Sequence, residues 1–199
     1  MQITSSTDSE RNLAVELILE DVPGGGSIAI SDLPTTQTEL EAGTLVAEDS
    51  AGKWHVSKTA MVVGAVPASG ITTIRVQNNH TFKAGDLLGY ASGIGASGVR
   101  ITSIAASGAG HDVITVGSSM SAVLAASGIL IEGATSGFAL GSTIAWRYSP
   151  TAITTNSIDT TASGNPGCGL MVRGRVREGE LPYVINSNVK ALLPLIRFV

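Results

Sequence analysis

Charge is scarce in this sequence, and so are aromatic rings and thiols. Charged residues make up 14% of the 199 positions, against about 25% in an average soluble domain. The twelve Lys and Arg are scattered, apart from Arg173, Arg175 and Arg177, and the net charge is −4. A nucleic-acid-binding chain normally gathers its basic residues on one face, so that class is disfavoured. Cys168 is the single cysteine, which excludes an intrachain disulfide and fits a reducing compartment. No apolar run reaches the roughly 18 residues of a membrane-spanning helix. The opening MQITSSTDSERNLAVELILE lacks the ordered basic, apolar and small-residue regions of a signal peptide.

Catalytic patterns are equally thin. His55, His80 and His111 stand at no metal-ligand spacing to one another or to the cysteine. Cys168 lies between glycines in NPGCGL, with no nucleophile signature around it. Gly93, Gly95 and Gly98 spell G-x-G-x-x-G, but the following VRITSIA is β-branched where a dinucleotide site needs a helix. Gly24–Gly26 lacks the Gly-Lys-Ser/Thr ending of a phosphate loop. The close carboxylate pairs Glu39/Glu41, Glu48/Asp49 and Glu178/Glu180 sit in polar turns, where solvation is the plain reading. The expectation is no enzyme, no cofactor and no metal.

What the sequence does have is punctuation. PGGGS, SAG, SGIGASG, ASGAG, ASG and SGNPG break it into apolar runs of four to seven residues, rich in Val, Ile and Thr. Many short strands with frequent turns predict a mainly β protein. Leu13, Val15, Leu17 and Leu19 alternate with Ala14, Glu16, Ile18 and Glu20. That period favours a strand over a helix, although Ala, Glu and Leu are good helix formers. Near the end, NSNVKALLP predicts a short helix capped at Asn186 or Ser187 and stopped by Pro194, with LIRFV as a closing strand.

One phrase occurs three times. LEAGTLVAE, FKAGDLLGY and LAASGILIE each run through Ala-Gly or Ser-Gly into an apolar stretch. The turn residue can take φ > 0, and the run after it enters a β layer. These read as three strand entrances. The stretch 66–135 holds two of them, with five strand-like runs and few charges. It reads as a small β-barrel inserted into a host domain of 23–65 and 136–199, after an arm of residues 1–22. Arg173, Arg175 and Arg177 alternate on a strand with Val172, Gly174 and Val176 opposite. Such a stripe suits contact with acidic residues of a neighbouring subunit or partner, and equally a solvated outer face.

LEAGTLVAEDSAGKWHVSK resembles the lambda-type head decoration proteins of tailed bacteriophages. The matching residues are Ala42, Gly43, Thr44, Leu45, Asp49, Gly52, Lys53 and Trp54. GRVREGELPY and VKALLPLIRFV resemble the C-terminal part of that family. The resemblance implies a small β-sandwich or β-tulip-like domain with a short C-terminal helix, here with the barrel added. It also implies a virion protein on the outer surface of the head, present in the host cytoplasm during assembly. Its partners would be the major capsid protein and copies of itself, as a homotrimer, with no direct nucleic acid and no membrane. Leu13, Val15, Leu17, Leu19, Trp54, Arg173, Arg175 and Arg177 are the candidate interface residues. The inserted barrel is a candidate for host-surface contact. The competing reading is an adhesin, fibre or tail-associated structural module.

Overall fold

The computed structural model describes residues 14–66, 71–90, 98–108, 110–120, 124–134, 145–161 and 164–199. The protein is mainly β, with one short α-helix. In chain order the strands begin with β1 Val15–Asp21, β2 Gly26–Ser27, β3 Glu39–Leu40, β4 Leu45–Glu48, β5 Trp54–Val56, β6 Thr59–Met61, β7 Ile71–Gln77 and β8 Leu87–Tyr90. They continue with β9 Val99–Ala106, β10 His111–Met120, β11 Ile129–Glu132, β12 Ala152–Thr154, β13 Ile158–Asp159, β14 Gly167–Cys168, β15 Leu170–Val176 and β16 Ile196–Phe198.

One six-stranded sheet runs β1-β15-β12-β4-β5, with β16 parallel beside β15. Its central strands are apolar on both faces, because neighbouring side chains on a strand point opposite ways. Val46, Ala152 and Leu170 join a core with Ile28, Leu40, Trp54 and Ile158. Leu45, Ile153 and Met171 join a second core with Ile185, Val189, Leu193 and Ile196. The helix α1, Ser187–Ala191, supplies Val189 to that second core. Its first turn is closed by Asn186, whose side-chain oxygen accepts from the Val189 N–H at 3.0 Å. After Pro194 the chain extends into β16, as the sequence predicts.

The other sheet runs β6-β11-β8-β9-β10-β7. A bridge between Val62 and Val76 brings its last strand back to its first, and the Val63 N–H donates to the Arg75 carbonyl at 2.8 Å. The sheet therefore closes into a barrel. Ile74, Val76, Phe82, Leu88, Ile101, Ile114, Leu124 and Leu130 fill its interior. The barrel begins at Thr59, ahead of the expected boundary at 66. Only Ser57 and Lys58 separate β5 from β6, and no turn residue marks the passage.

The three strand entrances differ in one detail. Gly43 (φ +91°) and Gly85 (φ +98°) supply the left-handed residue before β4 and β8. Before β11 the left-handed residue is Ser127 (φ +64°). Gly128 is needed there for space, since a Cβ on it would lie 2.5 Å from the Tyr90 ring.

The junction between the two sheets is held by charge. Lys58, 1% exposed, places Nζ 2.6 Å from Asp86 Oδ2 and 3.6 Å from Glu132 Oε2. Arg147 Nη1 donates to Glu132 Oε1 at 2.6 Å. Asp86 also accepts the Lys83 N–H at 2.9 Å. Two cations meet two carboxylates, so the interior stays neutral. Burial pushes the Glu132 carboxyl above its usual value, against the pull of Lys58. Removing one partner strands a buried charge, so Lys58→Ala is expected to cost about 3–5 kcal/mol in chemical denaturation. A raised carboxylate contributes stability in acid that is lost as pH rises through its folded value. The Lys58→Ala deficit is therefore expected to shrink as pH falls, which the same denaturation series at several pH values measures.

Candidate functional site

β1 lies at the end of its sheet and pairs on one side only, with β15. The ladder is irregular, with register shifts between Val15 and Leu17, Ile18 and Glu20, and Glu20 and Asp21. Such shifts twist a strand away from the plane of its sheet. At the middle of the ladder the two backbones come very close. A Cβ on Gly174 would stand 2.2 Å from the Leu17 carbonyl oxygen, so only glycine fits.

Leu17, Ile18 and Leu19 are 47%, 46% and 61% exposed. Consecutive strand residues face opposite ways, so three in a row uncovered means that neither face of β1 is packed at this point. Alternation in the sequence foretold the strand, but it also suggested one inward face. Only Val15 turns inward, half-buried against the second core.

The barrel and the opposite edge of the same sheet are protected. The barrel has none, because it closes. β5 is covered by a bridge from Ile28 to Trp54 and by the Ala29 N–H, which donates to the Trp54 carbonyl at 2.7 Å. Among the described residues nothing covers the outer edge of β1. A seven-residue edge with an exposed apolar centre is a template for another strand.

Beside this edge lies the arginine stripe. Arg173 and Arg177 are exposed and Arg175 is half-buried. Glu16 on β1 accepts from Arg175 Nε at 2.8 Å and Nη2 at 2.6 Å, with Arg177 Nη2 at 4.0 Å. The hydrogen bonds from Arg175 hold the Glu16 carboxyl below the usual carboxylate range. β16 adds Arg197, exposed and in register with Arg175. Sequence reasoning missed it, although an arginine in a closing strand was visible in LIRFV. Which strand β16 would join was not.

Two further interface candidates fall elsewhere. Leu13 lies outside the described residues. Trp54 is 6% exposed and fills the first core, where a Cβ on Gly26 would meet its ring at 2.4 Å. A large apolar ring on a buried strand serves the fold, so Trp54 presents no surface to a partner.

The titratable clusters are tied into the fold. His55 Nδ1 faces Asp32 Oδ2 at 2.5 Å, and Nε2 faces Asp49 Oδ2 at 3.1 Å. Its ring stacks on Tyr148 at 3.9 Å. With both nitrogens engaged by carboxylates, His55 ties a 3₁₀ turn to the β4–β5 turn. The His80 Nδ1 accepts the Phe82 N–H at 3.2 Å, and Nε2 faces Asp112 at 3.3 Å. Burial pushes His80 below the usual histidine value. The Cys168 thiol is buried and pushed up by that burial, and it points to the Gly169 carbonyl at 3.2 Å. Gly93 and Gly95 lie outside the described residues. Among those described, no three His, Cys, Asp or Glu are grouped to hold a metal ion.

A groove of about 1200 Å³ separates the 30–37 segment from the barrel wall, lined by Leu33, Gln37, Phe82, Lys83, Ile104 and Asp112 among others. Its charges are engaged: Lys83 Nζ donates to the Ser31 carbonyl, and Asp112 faces His80. Comparisons with family models, with curated proteins and with solved structures find no match.

Gly174→Ala is expected to push β1 off β15. The loss should be about 1–3 kcal/mol, with faster amide exchange across residues 15–21 read by hydrogen–deuterium exchange.

Proposed function

We propose that the chain is a structural virion protein that binds the outer surface of a phage head and stabilises the major capsid lattice as a homotrimer. The observation that carries this reading is the uncovered edge of β1 with its exposed Leu17, Ile18 and Leu19. A monomer gains nothing by leaving such an edge open, whereas a protein that works packed against others needs one. The low charge and the resemblance of 40–58 to head decoration proteins point the same way.

In this reading β1 and the arm before it add a strand to a sheet edge of the capsid protein, so main-chain hydrogen bonds supply affinity. Leu17 and Leu19 then bury apolar area against the lattice. The barrel carries its own core and faces outward, free for contact with a host surface.

That self-contained barrel also favours a second reading, an adhesin, fibre or tail-associated module. One experiment separates the two. Purified protein is mixed with expanded heads made without it, and the particles are imaged by electron cryomicroscopy. Regular density on the outer shell supports decoration, and bare shells move the assignment to a tail or adhesin module. Leu17→Lys with Leu19→Lys is expected to lower occupancy at least tenfold, since each charge would be buried unpaired. Removal of residues 1–12 with unchanged occupancy would count against the arm.

A further inference from the structure

Two places on this surface hold like charges side by side, and their signs are opposite. On the outer side of the β15–β16 pair, Arg175 and Arg197 are direct cross-strand partners. Arg173 stands two residues further along β15. Glu16 takes up the Arg175 guanidinium and Glu20 is the cross-strand partner of Arg173, while Arg173 and Arg197 are exposed and make no ion pair with a described residue. In the small β3–β13 ribbon, Glu39 and Asp159 are direct cross-strand partners, and both are exposed. Like charges directly opposite one another destabilise a β pair. Neither pair is relieved by the other within the chain.

The ribbon is prepared to receive a cation. Thr161 donates its backbone N–H and its hydroxyl to Asp159 Oδ1, at 2.8 and 2.6 Å. Both bonds use one oxygen, so the other is left for a partner. The same bonds keep the Asp159 carboxyl below its usual value and therefore ionised. A depression of about 400 Å³ lies beside the two carboxylates, lined also by Thr38, Ser157, Ile158 and Thr161. An arginine side chain fits such a space, and its planar fork bonds carboxylates two at a time.

We propose that the Arg173–Arg197 face of one copy docks on the Glu39–Asp159 ribbon of a second copy. The inference rests on the reading above, that the chain works as an assembly of several copies. It adds which surfaces meet. The two patches differ, so the contact is head-to-tail and propagates from copy to copy until a ring closes. Charge complementarity favours a second copy over a foreign partner. With four of the twelve basic residues and only Glu16 and Glu20 on this face, the rest of a −4 chain carries an excess of acid.

The test is sedimentation velocity of the full chain at low and high salt. The native chain should associate at low salt and dissociate as salt rises. Arg197→Glu and Glu39→Arg should each weaken association about tenfold or more, as for close interfacial charge pairs. The doubly substituted chain, with the charges exchanged, should recover it. Both positions are exposed, and unchanged thermal midpoints will show that the fold is kept. A native chain that is monomeric at every salt concentration overturns the contact. So does an oligomer indifferent to both substitutions, or a double variant no better than the singles. Head occupancy is read on the same preparations. A monomer that still decorates heads removes only the contact, whereas an oligomer that leaves heads bare removes only the capsid reading.

Discussion

Lys58 carries a full charge into the interior, and the arrangement of the molecule depends on how that charge is met. It sits between the last strand of the open sheet and the first strand of the barrel. Asp86 comes from the barrel loop before β8, and Glu132 from the end of β11. Arg147 then reaches Glu132 from the returning chain and lies over the Tyr148 ring, which stacks on His55. One line of contacts thus runs from the β4–β5 turn to the barrel. Buried ion pairs contribute little net stability, because desolvation offsets their attraction. Their value here is in orientation, since Lys58, Asp86, Glu132 and Arg147 meet in one arrangement of the two units.

The open sheet and the barrel solve the same problem in different ways. A sheet edge exposes unpaired N–H and C=O groups, and closure removes them altogether. The barrel takes that route through Val62 and Val76. The open sheet covers β5 with residues 28 and 29, while among the described residues nothing covers β1. The irregular register of β1 and the acidic residues Glu16, Glu20 and Asp21 limit indiscriminate pairing. The edge is therefore open to a partner and still guarded.

Much of this was legible in the sequence, for reasons that can be named. The apolar alternation of 13–20 marked β1 as a strand. Asn186 marked the start of the helix and Pro194 its limit. The Ala-Gly and Ser-Gly pairs marked strand entrances, through φ > 0 at Gly43 and Gly85 and through the close Tyr90 ring at Gly128. Long-range partners were not legible. Nothing in WHVSKTAM says that Lys58 will face Asp86 and Glu132, which lie far along the chain. Trp54 was a contact candidate because it belongs to the stretch that resembles the decoration proteins. Its burial follows from β5 packing against Gly26, which depends on topology rather than on local pattern. Arg197 was overlooked because its role comes from β16 lying parallel to β15.

Thr59 and Ile131 are partners across adjacent antiparallel strands. The chain therefore enters and leaves the barrel about 5 Å apart, one strand spacing. To the open sheet, the whole barrel is equivalent to a long hairpin tip. A tip of that kind can be exchanged for another folded module whose ends are equally close, without moving any strand of the sheet that bears it. The molecule is thus a mount with a replaceable head, and the Lys58 site is the fastening any substitute would have to reproduce.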